Sequence, residues 1–375
     1  MNIKDFIKYI EADKNALKNL ALDLHKNPEL GMKEFNAVTK QINILEKWNF
    51  KIENPFCKMP TAYKASYGES GRTFCFMSEY DALPGIGHAC GHNLIAITSL
   101  AAGKILSELL KAKNLKGKVI IMGTPGEEGL GGKVQIVAKN GLKGIDKVIM
   151  AHPSNQTAIW QGCFGIKRYT IDYYGKASHA ADAPELGKNA LDAIIALFNG
   201  VSAWRQHLPE ATRIHGIITN GGEAPNIIPE KASASFYLRA EHQDTLEEMQ
   251  TRFEQIVKGS GLIANCEYKL TEEYPGYKSG IPDTKLNEEY FEAAAQLGMK
   301  PSRPKYPSRA STDFGDISHE IAGTHVYFDI TKNRPYALHT QEFLEAAKSN
   351  YAIEQAFKTA TALAYVGYKF FIEDF

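Results

Sequence analysis

The sequence has no excess charge of either sign: Lys plus Arg and Asp plus Glu each number 43 in 375 residues. The basic surplus that suits nucleic acid or an anionic membrane surface is missing, so neither partner is expected. No stretch reads as the roughly 18 apolar residues of a membrane span. The opening Met1-Asn-Ile-Lys-Asp-Phe-Ile-Lys8 lacks the apolar run of a secretory leader. Cysteine is scarce, at positions 57, 75, 90, 163 and 266. That odd count without regular spacing argues against a disulfide framework and for a reducing compartment. A soluble cytoplasmic protein is expected. Internal repeats and low-complexity segments are also missing.

What is present is ordinary globular composition, 44% hydrophobic and 23% charged, in a chain long enough for two cores. The stripe Ile7, Ile10, Leu17, Leu20, Leu24 predicts a helix that Asn27-Pro28-Glu29-Leu30-Gly31 interrupts, and a second helix follows from about Lys33 to Trp48. Tyr63 to Tyr67 and Phe74 to Met77 read as strands of a hairpin turning at Gly68-Glu-Ser-Gly71. A helix over 94–113 and a strand from Lys118 to Met122 come next. Val148 to Met150 leads into Ala151-His152-Pro153, where the proline would end pairing.

Beyond residue 160 the pattern changes. Strands at Lys167–Tyr174, Arg213–Thr219, Ala232–Leu238 and Ala264–Leu270 alternate with helices at Asn189–Val201 and Leu246–Val257, a βαββαβ order of the ferredoxin-like kind. An α/β pattern then resumes with a helix over 287–297, a strand over 324–330 and a long helix from about Thr340 to Phe370. The expected fold is therefore two-domain α/β. A sandwich around a mainly parallel sheet takes residues 1–160 and 273–375, and a ferredoxin-like domain, 161–272, is inserted in it.

Chemistry concentrates in Ser78-Glu-Tyr-Asp-Ala-Leu-Pro-Gly-Ile-Gly-His-Ala-Cys-Gly-His-Asn93, a glycine-rich loop between a strand and a helix. Where a phosphate cradle would show bare glycines, this loop carries metal-ligand side chains. Cys90 and His92 can converge on one ion if Gly91 turns the chain, whereas His88 and His92 form a rival pair at helical spacing. The glycines disfavour helix before Gly91, so Cys90 is preferred and His88 is set behind the ligands. Glu127-Glu128 ends an apolar strand, so one carboxylate can bind metal while its neighbour acts as general base. His152 and His339 complete a Cys/His/Glu set on loops that follow strands, the way a two-metal hydrolase is assembled.

These residues sit in motifs that resemble the aminoacylase/carboxypeptidase-G metallopeptidases, in the branch of aminobenzoyl-glutamate hydrolase, hippurate hydrolase and auxin-conjugate amidohydrolases. The resemblance runs through Leu24-His-Lys-Asn-Pro-Glu-Leu-Gly31, Glu79-Tyr-Asp-Ala-Leu-Pro84, His88-Ala-Cys-Gly-His-Asn93 and Gly123-Thr-Pro-Gly-Glu-Glu128. It continues through Gly175-Lys-Ala-Ser-His179, Pro225-Asn-Ile-Ile-Pro229, Ser311-Thr-Asp-Phe-Gly315 and His339-Thr340. It implies two divalent metal ions bridged by Cys90, one also held by Glu128 and His339, the other by His92 and His152. Zinc suits the thiolate best, with manganese, cobalt or nickel as alternatives. By the same resemblance Glu127 is general acid/base, Asp81 orients a ligand histidine, and the inserted domain is a lid and dimerisation module. His179 would then serve the partner subunit's site, and Asn226 and Arg239 would hold the substrate.

Two departures stand out. Asn93 replaces an aspartate, which points to the aminobenzoyl-glutamate hydrolase and dipeptidase-like sub-branch, and Ala322-Gly-Thr-His325 replaces a proline-containing stretch. The implied reaction is hydrolysis of the amide of an N-acyl or N-aroyl amino acid, with a small dipeptide as the alternative substrate. Two other readings stay open: a binding protein with a retained metal site, and a cysteine hydrolase using Cys90 with His92.

Overall fold

Ten strands form among the described residues: β1 (Lys51–Glu53), β2 (Tyr63–Tyr67), β3 (Thr73–Ser78), β4 (Lys118–Gly123), β5 (Lys147–Ser154), β6 (Gly165–Tyr174), β7 (Thr212–Asn220), β8 (Lys231–Ala240), β9 (Glu267–Glu272) and β10 (Gly323–Asp329). The computed structural model describes residues 2–273 and 275–373. They divide into two compact units. One comprises Met1–Gly162, Gly280–Pro307 and Asp313–Phe375, the other Cys163–Ser279 and Ser308–Thr312.

The first unit holds a six-stranded sheet in the order β1-β2-β4-β3-β5-β10. Neighbours from β4 to β10 are parallel, and β1 and β2 are added antiparallel at one edge. Every residue of β3 is buried. Its unbroken apolar run is what a strand covered on both faces requires. Helices His92–Lys113 and Asn350–Ile372 pack on each other and belong to one core with the sheet. Because the four central strands are parallel, the segments at their carboxyl ends gather at one edge.

Four local expectations need correction. β2 and β3 are not a hairpin, because β4 lies between them, antiparallel to β2 and parallel to β3. The turn residues mark a change of direction but carry no information on which strand fills the gap. Pro153 does not end pairing: β5 stays in register with β10 through Pro153–Phe328 and Ser154–Asp329. The Val148 N–H points to the β10 side, so alternation turns position 153 toward β3, where the β5 ladder has already stopped at Ile149. There a missing N–H costs no hydrogen bond.

The long C-terminal helix is two, Gln341–Ala346 and Asn350–Ile372, and the second is capped by the Ser349 side chain accepting from Ala352 N–H. Finally, His92–Lys113 is long and apolar enough on average to cross a membrane, although no unbroken apolar run exists. Its most apolar window is 89% buried inside the protein, so it is a core helix.

In the second unit β7-β8-β6-β9 form an antiparallel sheet. With helices Ala190–Arg205 and Gln243–Ile263 the element order is βαββαβ, as expected. Ile171, Tyr173, Phe236 and Leu238 share a core with Ile194, Leu197, Met249 and Phe253 of the helices. Asn189 caps the first helix by accepting from Leu191 N–H. The mixed α/β architecture with an inserted ferredoxin-like unit is borne out.

Candidate metal centre

After β3 the chain passes Glu79 and Asp81 and turns at Gly91 into the helix His92–Lys113. Gly91 has φ +79°, and a β-carbon there would lie 2.9 Å from Pro153 Cγ. Left-handed backbone and close approach both call for glycine. That turn brings Cys90 and His92 together with His152 near the end of β5, the three donor atoms lying within 4.8 Å of one another.

After β4, Gly126 at φ +65° starts a kinked turn, Glu127–Leu130, with non-helical angles at Glu128 and Gly129. Strand alternation does not continue through it, and both Glu127 and Glu128 bring an oxygen within 4.8 Å of a His92 nitrogen. The loop after β10 ends at His339, whose N–H donates to Ala89 O at 3.0 Å. His339 joins Cys90 and Glu128 in a further set within 4.8 Å, so Cys90 is common to two three-residue sets.

Hydrogen bonds fix which atoms face inward. Asp81 Oδ1 lies 3.0 Å from His92 Nδ1, and Asp81 Oδ2 accepts from Glu128 N–H at 2.9 Å. His92 Nε2 and Glu128 Oε1 are then left buried without a hydrogen-bond partner, 3.9 Å apart. His152 Nδ1 donates to Pro153 O at 2.7 Å, which assigns the lone pair to Nε2, 3.4 Å from Cys90 Sγ. Burial opposes charge on His92, yet Asp81, Cys90 and Glu79 hold its pKa well above the usual histidine value. His152 is pushed the other way, to about 3, by burial and by His325 and His92. Burial raises the Cys90 thiol, and burial with Glu79, Asp313 and Glu128 raises Glu127.

Buried polar atoms without partners are uncommon, and a cluster of them calls for a bound water or ion. Here they sit among a thiol, imidazole lone pairs and carboxylates, which is the chemistry of a divalent-metal donor set. Two such sets sharing Cys90 fit two ions.

His88 is buried with both ring nitrogens unpartnered but lies outside these sets. His179, Asn226 and Arg239 belong to the second unit. His179 Nδ1 accepts from Asp182 N–H at 3.1 Å, which leaves Nε2–H as an exposed donor, and Asn226 O accepts from Ala180 N–H beside it. Arg239 is tied down within its own unit, donating to Ser311 Oγ at 2.9 Å.

Sequence reasoning missed a wholly buried ion network in which Lys133 contacts Glu79 and Asp313. Glu79 and Asp313 lie in the motifs Glu79–Pro84 and Ser311–Gly315, but nothing in the sequence marks Lys133 as a buried lysine.

The peptidase dimerisation domain family matches residues 161–262. The human (Homo sapiens) Xaa-Arg dipeptidase is 35% identical over 379 residues, covering 95% of this chain and 85% of that one. The chain belongs to the M20 peptidase family. An M20 membership of this extent makes it a hydrolase of amide or peptide bonds. A p-aminobenzoyl-glutamate hydrolase component of Escherichia coli is 27% identical, over 77% of this chain and 64% of that one. Among solved structures, a dinuclear metal binding M20 peptidase of Bacillus subtilis superposes with a TM-score of 0.74 at 20% identity. That match covers 95% of this chain and 99% of its own, and it speaks for the fold.

Proposed function

We propose that this M20 hydrolase is a two-metal enzyme that cleaves the amide joining an acyl or aminoacyl group to an amino acid with a free carboxylate. The convergence of Cys90, His92 and His152 with Cys90, Glu128 and His339 carries the reading. Cys90 would bridge, with Glu128 and His339 on one ion and His92 and His152 on the other. Ions held there would supply Lewis acidity and lower the pKa of water. Zinc is the metal proposed, for the thiolate; manganese, cobalt or nickel suit the remaining donors.

Glu127 takes the proton of the attacking water and returns it to the leaving nitrogen. Asp81 holds His92 by Nδ1 and the Glu128 backbone by its N–H, so one carboxylate orients two ligands. His179, through its free Nε2–H, would polarise the substrate carbonyl on the partner subunit's site in a homodimer, and Asn226 and Arg239 would hold the substrate.

Between substrates, the 35% identity to an Xaa-Arg dipeptidase favours a dipeptide, with an N-acyl amino acid such as aminobenzoyl-glutamate as the second reading. All five cysteines are free, which supports residence in the reducing cytoplasm. The test is a panel of Xaa-Arg and other dipeptides, N-acetyl amino acids and aminobenzoyl-glutamate with each metal added. Turnover of dipeptides above the rest is expected, and a panel untouched under every metal overturns the reading. Light scattering tests the dimer: a fully active monomer removes the trans role of His179.

A further inference from the structure

The network around Lys133 is more than a stabilising pair. Lys133, Glu79 and Asp313 have no exposed side-chain surface. Lys133 contacts Glu79 Oε1, approaches Asp313 Oδ1 to 2.6 Å, and its backbone N–H donates to Asp313 Oδ2 at 2.9 Å. One of these carboxylates would suffice to neutralise the ammonium. The other Glu79 oxygen, Oε2, has no hydrogen-bond partner and lies 3.5 Å from His92 Nε2, the nitrogen left free by Asp81.

With His92 neutral, as a metal ligand must be, these are an acceptor and a lone pair in a dry interior, and they do not stabilise each other without a cation between or beside them. Charge points the same way. Glu79 and Asp313 both face Lys133 with Glu127 close by, so carboxyl groups outnumber the lysine, and such a surplus is costly in a buried place unless further positive charge enters.

We propose that Glu79 is an anionic partner of the ion held at His92 Nε2, and that Lys133 and Asp313 are positioning residues that keep it aimed there. This rests on the two-metal reading and adds to its donor set a residue that the three-residue clusters leave out. Lys133 holds one oxygen of Glu79 and leaves the other facing His92. A purely structural salt bridge would, when lost, alter stability alone.

The test follows metal equivalents retained by the loaded protein under graded chelator, measured by elemental analysis beside circular dichroism. In wild type two equivalents are expected. In Glu79→Gln one of the two should leave at about 10–100-fold lower chelator while the fold is kept. Glu79→Asp keeps the charge but draws the oxygen back from His92, so it should fall between the two, and it decides the matter should the glutamine variant not fold. Folded variants that hold both equivalents as tightly as wild type overturn the proposal and leave the two-metal reading standing. A wild type with no metal overturns that reading itself.

Discussion

The two units bury different things. In the first, Glu34, Glu79, Asp81, His92, Lys133, Asp313 and His325 are all nearly inaccessible to solvent. In the second, the buried polar side chains among the described residues are the hydroxyls Thr212, Ser233, Ser260 and Ser279. Both have full apolar cores, so the contrast is not one of hydrophobic content. A hydroxyl is satisfied by a nearby carbonyl, as Ser260 is by Ile256 O, whereas a buried charge needs a partner of opposite sign. The first unit thus carries an electrostatic load that the second avoids, and much of that load lies beside the candidate metal centre at the carboxyl ends of the parallel strands.

The largest effect expected in testing this contrast is on turnover. Glu127→Gln should keep its metal and lose about 10²–10⁴-fold in kcat, read from initial rates with elemental analysis. Normal hydrolysis would remove Glu127 from its role. Next comes stability. Lys133→Met strands two buried carboxylates and should cost about 3–5 kcal/mol in urea denaturation. A smaller cost would mean that the network is wetter than its burial implies.

Glu34 offers a pH test. Its Oε1 accepts from Gly126 N–H at 2.8 Å, and burial, with Asp81, raises its pKa from 4.5 to about 7. An acid raised on folding binds its proton more tightly in the folded state, so its contribution to stability falls as pH rises through that window and is flat above it. Glu34→Gln removes the penalty while keeping an acceptor. Against wild type in chelator it should gain up to about 3 kcal/mol between about pH 4.5 and pH 8. A pH-independent difference would show that Glu34 titrates normally. The smallest effect belongs to the second unit, where Lys167 and Glu272 pair at 2.6 Å at the surface. Replacing either should shift stability by about 1 kcal/mol or less.

Legibility in the sequence follows the same division. The second unit's βαββαβ order could be read because β6 and β8 alternate between buried and more open positions. Strands covered on both faces carry no such period, and so the place of β4 between β2 and β3 stayed hidden. In the candidate metal centre Cys90, His92, Glu127, Glu128 and His152 stood out as ligand types beside glycine or at strand ends, and His339 as one just ahead of a helix. Lys133 did not, since a lysine in a short helix reads as surface until three-dimensional packing surrounds it. The break at Ser349 was equally silent, an N-cap inside an otherwise continuous helical stretch.

In the function proposed, the parallel strands' ends assemble a two-metal hydrolase around Cys90. The most direct measurement is hydrolysis of an Xaa-Arg dipeptide, or of whichever amide in the panel is turned over fastest, before and after dialysis against chelator. Activity should be lost in chelator and restored by about two equivalents of divalent metal per chain. Activity that survives chelation and falls only on thiol alkylation would contradict it and make Cys90 a nucleophile.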